Sequence, residues 1–319
     1  MAFYIGVDIG GTNIKAGVTD RTGNIVGEAE TPTGANRPQE AVIGDILAAA
    51  DRAVSAAGVL RREIFAAGVG CPGTVESSSG TVVYNNNLGW RNFPLGKLLS
   101  EAWRLPVRVE NDANAAALGE VCAGSARGAS SAMILTLGTG VGSGFVVDGR
   151  IWTGWNASAC EFGHMVIVKG GRLCTCGRRG CLEVYASATG LIDMTREAMA
   201  AHPESLMNAL AKKEGRVGGH TAFAAAERGD AAALRVVDEY VDYLACGVTN
   251  IVNGLQPEVV GIGGGVGRQG ERLLAPLRQK VYAEVYGGRG ERFTRLTQCT
   301  LGYRAGLVGA AMAAMQSTV

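Results

Sequence analysis

Phe3-Tyr4-Ile5-Gly6-Val7-Asp8-Ile9-Gly10-Gly11-Thr12-Asn13-Ile14-Lys15-Ala16-Gly17-Val18 is the stretch whose reading decides the fold. The apolar run Phe3 to Val7 predicts a strand, Gly10-Gly11 a turn, and Ile14 to Val18 a second strand, with a hairpin at Asp20 to Gly23. A dinucleotide fingerprint needs a helix directly after its glycines, and here a strand follows. Nor does any stretch read Gly-x-x-x-x-Gly-Lys-Ser/Thr. The unit is therefore strand, glycine turn, strand. Backbone N–H groups converging in such a turn offer donors to phosphate, and the missing side chains let it approach. Thr12 adds a hydroxyl, Lys15 a cation, and Asp8 a carboxylate able to hold a hydrated Mg²⁺ beside the phosphates. An ordinary hairpin with a sheet-edge lysine accounts for the same residues taken alone.

The pattern recurs. Met133 to Leu137 reads as a strand, Gly138-Thr139-Gly140-Val141-Gly142 as a turn, and Phe145-Val146-Val147 as a strand closing on Asp148-Gly149. The spacing of about 126–130 residues is far longer than solenoid periods and points to duplicated domains, with two turns facing one extended anion across a cleft. A third glycine run, Gly263-Gly264-Gly265, follows a strand predicted over Glu258 to Ile262, and three such runs make plain turns the poorer account. Helices lie between the strands. Val42, Ile43, Ile46, Leu47, Ala50 and Val54 recur at helical spacing after Pro38 and stop at Gly58. Leu234, Val237, Val241, Leu244, Val248, Ile251 and Leu255 predict a buried stripe on a second, longer helix, and Ala305 to Met315 a helix of small residues. Strands alternating with helices give an α/β architecture.

The 319 residues exceed what one core usually holds, so two domains or one large α/β unit are expected. Glycine, at 48 residues, is about twice its usual ~7% share, and is read as serving tight turns and close approach of ligands. Thirty Lys+Arg against 29 Asp+Glu leave a net charge of +1, without the basic bias of nucleic-acid or anionic-membrane binding, so the expected partner is a small molecule. Neither a leader peptide nor a bilayer-spanning apolar run is evident, and the expected location is the cytoplasm.

In that reducing compartment eight cysteines do not read as a disulfide framework. Three crowd into Cys174-Thr175-Cys176-Gly177-Arg178-Arg179-Gly180-Cys181-Leu182-Glu183, after Glu161-Phe162-Gly163-His164. Three thiols and an imidazole suffice for a tetrahedral Zn²⁺ held by His164, Cys174, Cys176 and Cys181, with no position left for a substrate, hence structural; three reduced, unligated cysteines are the alternative.

This cluster, together with Asp8 to Lys15, closely resembles the signature of the ROK family (repressors, open reading frames and kinases), and the resemblance runs over essentially the whole chain. It implies the two-domain actin-like ATPase and sugar kinase fold (ribonuclease H-like), an α/β fold with an interdomain cleft. The expected division is residues 1–115 with 303–319 as a small N-terminal α/β domain, to which the C-terminal helix returns, and 116–302 as a larger α/β domain carrying the zinc loop. The phosphates of ATP, with Mg²⁺, would lie on Asp8, Gly10, Gly11, Thr12, Asn13 and Lys15, on Gly138, Thr139, Gly140 and Gly142, and on Gly263, Gly264 and Gly265. Val107 to Asn111 leads as a short strand into an alanine-rich helix; by composition Asp112 is an N-cap, whereas the resemblance makes it the catalytic base and gives Asn111 a neighbouring sugar hydroxyl. It likewise implies sugar contacts from Gly73 in Gly70-Cys71-Pro72-Gly73-Thr74-Val75, from Glu161 and Glu183, and from the second ring nitrogen of His164. Asn87-Leu88-Gly89-Trp90 resembles the stretch of ROK glucokinases, with Asn87 on the sugar; a turn with a packed tryptophan is the plainer reading.

The expected activity is ATP-dependent phosphorylation of a hexose, glucose first, with N-acetylmannosamine, N-acetylglucosamine, fructose or allose as alternatives. Homo-oligomers, dimers or tetramers, are implied by resemblance alone. ROK repressors carry an added N-terminal helix-turn-helix, whereas this sequence enters its first strand at Phe3, so DNA binding is not expected.

Overall fold

The structure is a computed structural model and describes residues 1–34, 37–85, 88–287, 290 and 293–318. Its strands are β1 (Phe3–Ile9), β2 (Asn13–Thr19), β3 (Ile25–Pro32), β4 (Ile64–Cys71), β5 (Thr74–Glu76), β6 (Thr81–Asn85), β7 (Trp90–Phe93), β8 (Val107–Asn111), β9 (Ser131–Leu137), β10 (Val141–Val147), β11 (Arg150–Ile151), β12 (Val259–Gly263) and β13 (Arg295–Gln298). One five-stranded sheet has the order β3-β2-β1-β4-β8 and a second β11-β10-β9-β12-β13, with β5-β6-β7 as a small third. β1 pairs antiparallel with β2 and parallel with β4, which is parallel to β8. β10 is antiparallel to β11, and β12 parallel to β13. The repeat of glycine turns in the sequence is thus a repeat of strand order.

By its contacts the chain divides into two compact units, Met1–Ile134 with Gly144–Cys160 and Thr300–Val319, and Leu135–Ser143 with Glu161–Cys299. In the first unit β1 is buried along its length except at Asp8, as expected for a strand covered on both faces. The helix Gln39–Ala57 ends at Gly58 in a left-handed C-cap and lies against β3, where Gly27 lets Ala53 and Ala57 come close. On the other face lies the helix Ala305–Gln316, buried from Ala305 to Ala314. Gly6 is the register partner of both Gly17 and Gly68, so three glycines form a row across β2, β1 and β4. A Cβ on Gly6 or Gly68 would land on the carbonyl oxygen of Leu307 or Ala310, and one on Gly17 would stand 2.6 Å from Leu307 Cδ1. These glycines serve neither turn nor ligand, which corrects the reading from composition: they let a small-residue helix lie directly on the sheet. Burying Leu307, Val308 and Met312 there contributes about 1.5–3 kcal/mol each.

Glu120, fully buried, accepts from the N–H groups of Ser125 (2.8 Å), Thr300 (3.1 Å) and Leu301 (2.8 Å). It fastens the end of the helix Asp112–Ala123 to the segment leading into the C-terminal helix. A buried carboxylate is tolerated here because its oxygens are filled.

In the second unit the helix Ala231–Leu255 has its apolar face on Ala233, Val236, Tyr240, Leu244, Val248 and Ile251. Leu234, which starts the stripe read from the sequence, is 50% exposed. Val241, Leu244, Val248 and Ile251 of that stripe are fully buried, and Tyr240 joins them, its ring buried while its hydroxyl reaches the Ala186 carbonyl at 2.6 Å. Among the described residues no helix is long and apolar enough to cross a membrane.

Candidate active site

In the first unit, three parallel strands deliver the candidate residues at their carboxyl ends, where open α/β sheets generally bind ligands. Asp8 is the register partner of Gly70, Gly70 of Glu110, and Cys71 of Asn111. A Cβ on Gly70 would stand 3.7 Å from both Asp8 Oδ1 and Asp112 Cα, so the two acids are near neighbours. Burial and then the charge of Asp112 push the Asp8 carboxyl up to about 6, against a smaller opposing pull from Lys15. Burial raises Asp112 as well.

The helix after β8 is capped by Asn111, not by Asp112, which corrects the reading from composition. Asn111 Oδ1 accepts from the N–H of Ala113 (2.9 Å) and of Asn114 (3.1 Å). Its amide donates to Gly73 O and to Asp112 Oδ1, both at 3.0 Å. Asp112 is the first helical residue, its Oδ1 also accepting from the Ala113 N–H at 3.0 Å. Asn111 thereby ties the Gly73 loop to Asp112. Gly73 has φ +94°, and a Cβ there would strike the Tyr84 carbonyl, so only glycine fits.

From the other side, the buried Asn85 donates to Pro72 O at 2.8 Å and accepts from the Leu88 N–H at 3.0 Å. The sequence reading missed Asn85; the one signal was an asparagine closing a strand, among other asparagines. Asn87 lies outside the described residues. Trp90 is buried and stacks on Phe93 with ring centroids 4.5 Å apart, so this tryptophan is core.

The first glycine turn is held by Thr33, also missed, whose hydroxyl donates to Gly10 O (2.6 Å) and whose N–H donates to Thr12 O (2.7 Å). Gly10 N–H closes the turn on Asn13 O at 2.9 Å, leaving Gly11 and Thr12 exposed at the tip. Lys15 and Asn13, with Glu28, Glu30, Tyr303 and Leu307, line a cavity of about 540 Å³, Lys15 Nζ lying 5.0 Å from the Tyr303 ring centroid.

In the second unit, Gly138 N–H bonds Gly140 O at 3.0 Å to close the second turn. Gly142 lies just inside β10, and Gly263 ends β12. Gly264 (φ +77°) and Gly265 open a short helical turn, and a Cβ on Gly264 would overlap the Leu137 backbone beside the second turn. Glu161 is exposed and accepts from the His164 N–H at 3.0 Å; the Phe162 N–H donates to Ser143 Oγ at 3.1 Å. Glu183 is turned onto the second glycine turn, its Oε2 accepting from the Val141 N–H at 3.0 Å.

The donor atoms of His164, Cys174, Cys176 and Cys181 all lie within 4.8 Å of one another. His164 Nδ1 is 3.7 Å from Cys174 Sγ, and the Cys176 and Cys181 sulfurs are 3.7 Å apart. Metal–sulfur bonds of ~2.3 Å in a tetrahedron imply donor–donor edges of about 3.8 Å, so the donors fit one thiophilic metal ion. Burial and the neighbouring Cys176 and Cys174 push the Cys181 thiol up to about 12. Nδ1 faces the sulfurs, which leaves Nε2 as the ring nitrogen away from them.

Known proteins are similar to this chain over nearly all of it. A glucokinase of Halalkalibacterium halodurans is 40% identical over 310 residues, 96% of this chain and 93% of its own. A ROK family glucokinase from Streptomyces griseus, in complex with glucose and AMPPNP, has TM-score 0.84 at 35% identity and covers 99% of this chain and 100% of that one. A ROK hexokinase from Thermus thermophilus has TM-score 0.80 at 34% identity over 99% of both chains. The fold is thus that of the two-domain actin-like sugar kinases. The family model described as "ROK family" matches residues 4–317, and with these full-length similarities it settles the point: the chain belongs to the ROK family.

Proposed function

We propose that the protein is an ATP-dependent hexose kinase acting on glucose, giving glucose 6-phosphate and ADP. The observation that carries this reading is similarity to glucokinases along nearly the whole chain, at 40% identity in one case.

Asp112 is the base. Its burial holds the carboxyl above the ordinary carboxylate range, closer to the pH at which it must accept a proton. It takes the proton of the attacking sugar hydroxyl, whose oxygen bonds the terminal phosphorus of ATP. The bond from that phosphorus to the bridging oxygen breaks, and ADP leaves. Little else is covalent, and the remaining work is positioning and charge neutralisation. Asn111 holds Gly73 and Asp112 in register; with its donors and acceptor engaged, it meets a sugar hydroxyl directly only by exchanging one of those bonds. Gly73, Asn87, Glu161, His164 and Glu183 complete the sugar set, since every buried sugar hydroxyl left without a partner costs about 1–3 kcal/mol.

The three glycine runs take the phosphates, from Gly10 to Asn13 with Lys15, from Gly138 to Gly142, and from Gly263 to Gly265. Asp8 is assigned to the hydrated Mg²⁺ that accompanies ATP, because a carboxyl raised to about 6 by burial and a neighbouring acid is one that a divalent cation returns to its charged form. The Cys₃His set holds zinc, which when bound supplies bracing for a loop of low apolar content. A cytoplasmic homo-oligomer belongs to the same reading through the family resemblance.

The test is ADP release in a coupled assay with ATP and Mg²⁺ across glucose, N-acetylmannosamine, N-acetylglucosamine, fructose and allose. Glucose should give the highest kcat/KM. Turnover with another sugar at the head of the ranking would replace glucose as substrate, and ADP release with none of them would remove the kinase reading.

A further inference from the structure

We infer that Glu183 is a strut that carries the position of the metal-binding loop to the second glycine turn, so that occupancy of the Cys₃His site sets nucleotide affinity even in the absence of sugar. The inference rests on the reading that Gly138 to Gly142 holds nucleotide phosphate.

Glu183 stands two residues after Cys181, and the chain between them is fixed. Cys181 bridges to Val166, the Leu182 N–H donates to Met165 O at 2.8 Å, and Cys181 and Leu182 are both fully buried. Whatever holds Cys181 therefore places Glu183 at the start of the helix Glu183–Ala186. From there Glu183 Oε2 accepts from the Val141 N–H at 3.0 Å. The carboxylate lies where a Cβ on Gly140 would be, so the absence of a side chain at Gly140 is what admits it.

The segment then continues onto the same turn. The Ala188 N–H donates to Gly138 O and the Thr189 hydroxyl to Thr139 O, both at 2.8 Å. Three successive contacts thus clip residues 138, 139 and 141 to the stretch 183–189. The opposite end of the carboxylate points back to the metal loop, with Oε1 3.5 Å from Thr175 Oγ1 and 3.7 Å from Cys174 Sγ. One carboxylate accordingly spans both structures.

Calorimetric titration of the full chain with Mg²⁺–AMPPNP, without sugar, tests this. Glu183→Gln keeps an oxygen acceptor for Val141 and should lose less nucleotide affinity than Glu183→Ala. Glu183→Ala should bind about tenfold more weakly, the scale of one hydrogen bond to a charged group. Chelation of the metal should weaken the parent by a similar factor, with recovery on adding zinc alone, and should weaken Glu183→Ala little further. Thr189→Val, at an exposed position, should bind about threefold more weakly, which keeps the test open if Glu183→Ala does not fold. Parent-like affinity in Glu183→Ala, equal losses on chelation in parent and variant, or parent-like affinity in Thr189→Val when Glu183→Ala is unfolded would each overturn the inference. A parent protein that binds no nucleotide at all would instead overturn the reading of the turn, and the inference with it.

Discussion

Replacing Asp112 by asparagine separates chemistry from architecture at this site. The carboxylate oxygen that accepts from Ala113 and from the Asn111 amide, both at 3.0 Å, has a counterpart in the amide oxygen of asparagine, so the helix start and the Gly73 loop keep their ties. What disappears is the basic group. General-base catalysis is worth about 10²–10⁴ in rate, or roughly 3–5 kcal/mol of barrier, and kcat should fall by at least two orders of magnitude.

Stability should move the other way. Asp8 is raised to about 6, with burial as the largest cause and the Asp112 charge the next. A carboxyl with a raised native pKa binds its proton more tightly folded than unfolded, so its contribution is full below about 4 and lost as pH rises through about 6. Removing the Asp112 charge lowers Asp8 and shrinks that loss. Thermal melts of Asp112→Asn should therefore match the parent near pH 4 and lie at or above it near pH 7.5. Turnover within tenfold of the parent, measured as ADP release at saturating glucose and ATP, would refute the base. A melt well below the parent at pH 7.5 would show that Asp112 acts through the fold instead.

Two further outcomes are expected. Protein purified under reducing, chelator-free conditions should carry about one zinc per chain by elemental analysis, and zinc removal should lower the melting temperature; finding no zinc would discard the site. Gly68→Ala places a methyl on the Ala310 carbonyl in a helix that is itself buried, and should cost about 2 kcal/mol or more in denaturant unfolding; a change below 0.5 kcal/mol, on the scale of ordinary surface substitutions, would contradict the described docking of the C-terminal helix.

Strand, glycine turn and strand were legible around Gly10 and around Gly138 because hydrophobic runs and glycines report local backbone needs. The Cys₃His cluster was legible because three thiols and an imidazole have few other uses together. Long-range contacts left weaker marks. Gly6, Gly17 and Gly68 look like flexible residues in isolation, and only their alignment across three strands reveals a seat for the helix Ala305–Gln316. Asn85, Thr33 and Glu120 are common polar residues whose importance lies in the carbonyls and N–H groups they meet far away in sequence. Periodicity placed the helix Ala231–Leu255 and most of its buried face but included the exposed Leu234 and passed over Tyr240, because a hydropathy pattern discounts tyrosine and cannot know that its hydroxyl has a partner. Neighbouring positions at Asn111 and Asp112 are both good caps by composition; the hydrogen bonds assign the cap to the first.

The most direct measurement is phosphorus NMR of the purified protein incubated with ATP, Mg²⁺ and glucose. The account predicts ADP and glucose 6-phosphate appearing in equal amounts, with the phosphate on the 6-hydroxyl. Inorganic phosphate released in place of a sugar phosphate, or an unchanged ATP spectrum, would contradict it.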